Sequence, residues 1–150
     1  QREVQRSNVA RNVQRPGHTP AQTMLGPKVL LINQYSASDG DLFPYGWRKY
    51  DLGKIIGVTT WGGVVGIRGS LPFVDGADLR KPEFASYSAD ESDWIIEGEG
   101  VKPDIWLDND PAREYMGIDD QLNKAIEVIL EELKNYKALP AIPQPPDKSR

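Results

Sequence analysis

The sequence predicts an α/β domain: a mixed sheet with a βαβ-like unit in its first half and an amphipathic helix near its end. Three observations carry this. Val29-Leu30-Leu31-Ile32 is an unbroken apolar run, as in a parallel strand covered on both faces. Lys54-Ile55-Ile56-Gly57-Val58 is a second strand-like run, and the helical stretch between the two makes them a crossover pair. Leu122, Ala125, Ile126, Ile129, Leu133 and Tyr136 fall on one face at helical spacing.

Taken in order, residues 1–27 are rich in Gln, Arg, Asn, Pro and Thr and read as a polar linker or loop region that cannot bury a core. His18, the single histidine, sits in Arg15-Pro16-Gly17-His18-Thr19-Pro20, which reads as a polar loop. Residues 28–138 hold the core-forming elements. Residues 139–150, with Pro140, Pro143, Pro145 and Pro146, read as a disordered tail.

Within the core segment a helix is expected from about Ser38 to Tyr50. Pro44 is comfortable only in a first turn, so this helix either starts near Asp41 or is distorted. Gly57, Gly62, Gly63 and Gly66 among β-branched residues predict a strand, a tight turn and another strand from Gly57 to Ile67. Residues 70–93 are turn-rich, with short strands near Leu71–Val74 and Phe84–Tyr87. Trp94-Ile95-Ile96 reads as a short strand leading to Glu97. Asp119 can cap a helix from Asp120 to Tyr136, whose apolar face is expected to dock on its own sheet rather than on another subunit.

The chemistry concentrates after the first strand, in Asn33-Gln34-Tyr35-Ser36-Ala37-Ser38-Asp39-Gly40-Asp41. A serine between a strand's carboxyl end and a helix N-terminus is exposed and lies beside unpaired backbone N–H groups. Those are two requirements of a serine nucleophile: access, and donors for the oxyanion that forms when a carbonyl is attacked. The third requirement, a base, must come from elsewhere.

Three segments in order, Lys28–Asp41, Thr59-Thr60-Trp61-Gly62-Gly63-Val64-Val65-Gly66-Ile67, and Glu97-Gly98-Glu99-Gly100-Val101-Lys102-Pro103-Asp104, closely resemble the catalytic C-terminal domain of tricorn proteases. These are relatives of the C-terminal processing proteases with a crotonase-like α/β fold. The resemblance covers roughly Gly26 to Tyr136. It implies Ser38 as nucleophile, the Asp39 N–H as an oxyanion donor, and Glu97 as the acid of the catalytic relay, with Glu99 as its nearby competitor. It also tips Gly62 and Gly63 toward contact with a peptide lying alongside as an added strand.

Thr60 to Val64 holds no lysine, so a histidine relay is favoured over a Ser/Lys pair. The resemblance places that histidine upstream, outside this chain. His18 is a poor candidate, since a base must first have the right geometry.

Composition narrows the rest. The net charge of −4 is uneven: Arg2, Arg6, Arg11 and Arg15 against Glu3 give residues 1–27 a charge of +3, leaving −7 for the remainder. An acidic body argues against nucleic acid as partner. Without cysteine there is no thiol nucleophile and no disulfide framework. The acidic run from Asp104 to Asp120 lacks calcium-loop spacing and reads as a solvated surface.

No phosphate loop, dinucleotide fingerprint or zinc helix occurs, so neither a cofactor nor a metal is expected. No run is long and apolar enough to span a bilayer. A cytoplasmic location is expected, with a periplasmic or secreted one if an upstream signal is removed.

The reading is a serine peptidase segment acting through an acyl-enzyme on Ser38, with a peptide or unfolded protein as substrate and a homo-oligomer as the working state. The alternative is a non-catalytic peptide-binding or assembly domain of the same fold.

Overall fold

The computed structural model describes residues 5–7, 17–69, 71–90, 93–137, 140–141 and 143. Most of the proline-rich tail, and the leader residues Arg2, Arg11 and Arg15, lie outside them. The chain divides into two units, one formed by Gln1–Pro27 with Leu130–Arg150 and the other by Lys28–Ile129. In the first, β1 (Gln5–Ser7) pairs antiparallel with β2 (Gly17–Thr19), Arg6 opposite His18. The loop expected at His18 is therefore a short strand, because a two-stranded antiparallel pair needs no buried face and polar residues can form it.

The second unit is mixed α/β. Its three-stranded parallel sheet has the order β3-β4-β7, with β3 at Val29–Ile32, β4 at Lys54–Gly57 and β7 at Ile105–Trp106. The crossover from β3 to β4 is α1, Asp39–Lys49. Ile32, Trp47, Ile55 and Val101 form the core, with Leu30, Tyr45, Leu52 and Ile96 packed against them.

Burial on both faces falls on the central strand, where Ile55 is 1% and Ile56 0% exposed. The apolar run of β3, expected to be covered on both faces, instead forms an edge of this sheet, and Leu31 is 38% exposed. An apolar run does not distinguish central from edge position.

Helix α1 begins two residues before Asp41 and carries Pro44 in its sixth position. Its first turn is closed by short-range bonds, Gly40 N–H to Ala37 O at 2.8 Å and Asp41 N–H to Ser38 O at 2.9 Å, and Pro44 is fully buried. The ring is accommodated because burial of this face offsets the missing N–H. Trp47 donates Nε1–H to Gly53 O at 2.7 Å, so the helix is tied to the turn that leads into β4.

The hairpin expected over Gly57 to Ile67 does not form. After Gly57 the chain leaves the sheet as an extended segment, and β5 (Gly66–Gly69) pairs with β6 (Arg80–Phe84) instead. The reason lies in competing partners. Val58 N–H bonds Ile32 O at 3.1 Å, Thr60 N–H bonds Val101 O at 3.2 Å and Trp61 N–H bonds Ser36 O at 2.9 Å.

Gly57 itself is required by close approach. At φ 132° its Cβ would lie 1.9 Å from the Ile32 carbonyl oxygen. Gly57→Ala is expected to destabilise the unit by roughly 3 kcal/mol, combining a disfavoured φ with a backbone clash, and urea denaturation checks it.

Two other expected strands are absent. Residues 71–79 form turns, with Gly76 N–H bonding Phe73 O at 2.9 Å, rather than a strand at Leu71–Val74. Trp94 makes only an isolated antiparallel bridge to Tyr87, and Ile96 has φ 39°, so Glu97 opens a turn instead of ending a strand. The β6 ladder lies earlier than Phe84–Tyr87 and shares only Phe84 with it.

The acidic run is solvated as expected, with Asp104, Asp108, Asp110 and Glu114 exposed, and several of its carboxylates also serve as caps and ties. Asp110 caps α2 (Pro111–Tyr115), accepting Ala112 N–H at 2.8 Å. Arg113 binds Asp120 in a two-pronged pair at 2.7 and 2.8 Å, and Asp119 caps α3 (Asp120–Asn135) by accepting Leu122 N–H at 2.9 Å. In the part of α3 that belongs to this unit, Gln121 and Ala125 are buried and Gln121 donates Nε2–H to Leu107 O at 2.7 Å, while Leu122 and Ile126 are exposed.

Asp104 accepts Ile55 N–H and an Arg48 N–H, each at 2.8 Å. Burial alone would raise its pKa, yet these hydrogen bonds and the Arg48 charge hold it below the ordinary carboxylate value. A depressed pKa stabilises the fold above the unfolded-state value of about 4 and is lost as pH falls through the folded-state value. Asp104→Asn is expected to flatten the fall in stability below about pH 4, read by thermal melts across pH.

Candidate active site

The carboxyl ends of β3 and β4 carry the site, the usual place for ligands in open α/β sheets. After Ile32 the chain turns at Asn33, whose side-chain oxygen accepts Tyr35 N–H at 3.0 Å, and Ser36 N–H bonds Asn33 O at 2.9 Å. Two residues later Ser38 stands as the N-cap of α1 with φ 56° and ψ −112° and makes no side-chain cap bond. Serine rarely adopts such a backbone. It is retained where the surroundings enforce it, and such strain gathers at functional positions. The result is an exposed hydroxyl on a sharp strand-to-helix turn.

Asp39 follows as the first residue of α1, where a helix leaves its N–H without an intrahelical acceptor. Its carboxylate and that of Asp41 lie in the first turn, which favours negative charge.

Ser38 shares a cleft of about 400 Å³ with Trp61, Gly63, Val64, Val65, Ile67, Pro82 and Glu97. Glu97 Oε2 accepts two consecutive amides, Val64 N–H at 2.7 Å and Val65 N–H at 2.8 Å. Glu99, its competitor, lines a different cavity with Tyr45, Arg48 and Lys102.

The two glycines separate. Gly63 lines the cleft and is packed under the Trp61 ring, where a Cβ would lie 2.2 Å from a ring carbon. Gly62 is buried behind it at φ 80°, where a Cβ would meet Gly100 N at 2.7 Å. Its carbonyl accepts Gly98 N–H at 2.7 Å. His18 belongs to the other unit.

One carboxylate had no role assigned from the sequence. Asp41 is 0% exposed, and it accepts Gly62 N–H at 2.8 Å and Gly63 N–H at 3.2 Å. The only available signal was its place in the first turn of the helix that opens at Ser38. Among the described residues no group of three or more His, Cys, Asp or Glu could hold a metal ion, and no helix is long and apolar enough to cross a membrane.

Comparison with known proteins gives this geometry its class: the chain is a serine-type peptidase domain segment. It belongs to peptidase family S41, whose family model matches residues 1–107. It is 39% identical over 118 residues to the tricorn protease of Thermoplasma volcanium, covering 79% of this chain and 11% of that protein. With the tricorn protease of Thermoplasma acidophilum it shares 39% identity over 127 residues, covering 85% and 12% respectively.

The crystal structure of the tricorn protease superposes with a TM-score of 0.79 at 36% identity, over 90% of this chain and 13% of that chain. The crystal structure of mature CPAF shares the fold, with a TM-score of 0.55 at 24% identity over 73% of this chain and 21% of that one. The chain therefore spans little more than a tenth of the length of its tricorn relatives.

Proposed function

We propose that this chain supplies the nucleophile, one oxyanion donor and the relay carboxylate of a crotonase-like serine endopeptidase. Ser38 Oγ attacks the scissile carbonyl, and its proton passes to a histidine contributed by sequence outside this chain. The Asp39 N–H, at the positive end of α1, receives the developing oxyanion. Glu97 stabilises the histidine once it is charged, which its free oxygen Oε1 can do while Oε2 stays bound to the cleft wall. The amine product leaves with that proton, and water then cleaves the Ser38 ester.

The supporting observation is the strained, exposed Ser38 at the mouth of a cleft that it shares with Glu97. The apolar lining of Trp61, Val65, Ile67 and Pro82 suits a peptide or unfolded protein segment as substrate. A cytoplasmic homo-oligomer is the working state in this reading, and the exposed Leu122 and Ile126 of α3 are available for subunit contact.

A fluorophosphonate probe tests the assignment on the full-length protein. The adduct is expected on Ser38 in tryptic peptides. An adduct at another serine, or none, would overturn the assignment and leave a non-catalytic peptide-binding or assembly domain.

A further inference from the structure

Four consecutive backbone amides, from Gly62 behind the cleft to Val65 in its lining, are held by two carboxylates. Asp41 takes the N–H groups of Gly62 and Gly63, and Glu97 takes those of Val64 and Val65. Asp41 also donates its own N–H to Ser38 O at 2.9 Å. One residue thus joins the turn that presents the hydroxyl to the Gly62-Gly63 backbone, next to the bond from Trp61 N–H to Ser36 O.

Asp41 has no exposure, and no cation is paired with it among the described residues. Each of its two carboxyl oxygens accepts one of those amides, and it lies in the first turn of α1. A buried carboxylate without a counter-ion is costly for a merely structural tie. A neutral Asn would satisfy only one of the two amides, since its NH₂ would face the other as donor against donor.

From this we infer that Asp41 is a positioning residue that sets the distance between Ser38 and the Gly62–Val65 wall, and so governs how a peptide is held against the nucleophile. The inference rests on the peptidase reading and deepens it. Because its side chain is short and begins in the first turn of a helix, the link is rigid. A wall released at Gly62-Gly63 stays anchored by Trp61 N–H on Ser36 O and by Glu97 at Val64-Val65, so the main loss falls on substrate placement between those anchors.

The test uses Asp41→Asn in the full-length protein, with fluorescein-labelled casein peptides as substrate and fluorophosphonate titration to count active sites. KM is expected to rise about tenfold and kcat per titrated site to fall about threefold, a shift in ground-state as well as transition-state binding. A role limited to folding would lower the number of titrated sites at unchanged KM, and that result overturns the proposal.

In the wild-type protein the Gly62 and Gly63 amides are expected to exchange with deuterium at least 100-fold more slowly than those of residues 75–77. Equal exchange would overturn the tie itself, whatever the variant's ability to fold. If wild-type protein is not labelled at Ser38, the peptidase reading falls and this role with it. Labelled wild-type protein with an unchanged KM in the variant overturns the role alone.

Discussion

Under the proposed mechanism Ser38→Ala is expected to lower peptide turnover by at least ~10³-fold in the full-length protein, because members of a nucleophile–base–acid unit act together and loss of the proposed nucleophile removes the acyl-enzyme route. Peptide affinity should change little, since the cleft walls are untouched. The same position makes an opposite prediction for stability. At φ 56° Ser38 pays a strain that glycine would not, so Ser38→Gly is expected to raise the urea midpoint, by about 1 kcal/mol in stability, while abolishing turnover. A serine at this turn without a chemical role would show no such opposition between stability and activity.

Glu97→Gln is the second large effect. The amide keeps an oxygen to accept Val64 and Val65 N–H, so the wall should persist. The negative charge proposed to stabilise a protonated histidine is gone, and turnover is expected to fall on the order of 10³-fold. Glu97→Ala should fall further and also lose stability, roughly 1–3 kcal/mol, from wall amides left without an acceptor. Glu99→Gln is the control and should stay within about twofold, since Glu99 lines a separate cavity. Steady-state kinetics on the three variants decide this, and a Glu97→Gln enzyme of normal rate would remove Glu97 from the relay.

Much of the scaffold was readable from residue pattern. The apolar runs at β3 and β4, the intervening helix and the Asp119-capped α3 follow from periodicity and capping, which depend on near neighbours. Helix α2 was missed although Asp110-Pro111 is a start signal, because five residues carry too little periodicity to register. The expected hairpin after Gly57 failed for a different cause: glycines permit a tight turn without requiring one, and partners distant in sequence held the chain extended.

Residue types and their spacing alone set the mixed α/β character, the family resemblance and the identity of Ser38 as the candidate nucleophile. Tertiary structure alone put Glu97 in the cleft with Ser38 and Glu99 in another cavity, set Gly63 in the cleft and Gly62 behind it, and brought Asp41 onto their amides. Local patterns are encoded within a few residues by sterics and hydrophobic period. A carboxylate's partner 21 or 33 positions away is chosen by where the sheet and crossover helix deliver it, and no local property of the chain carries that information.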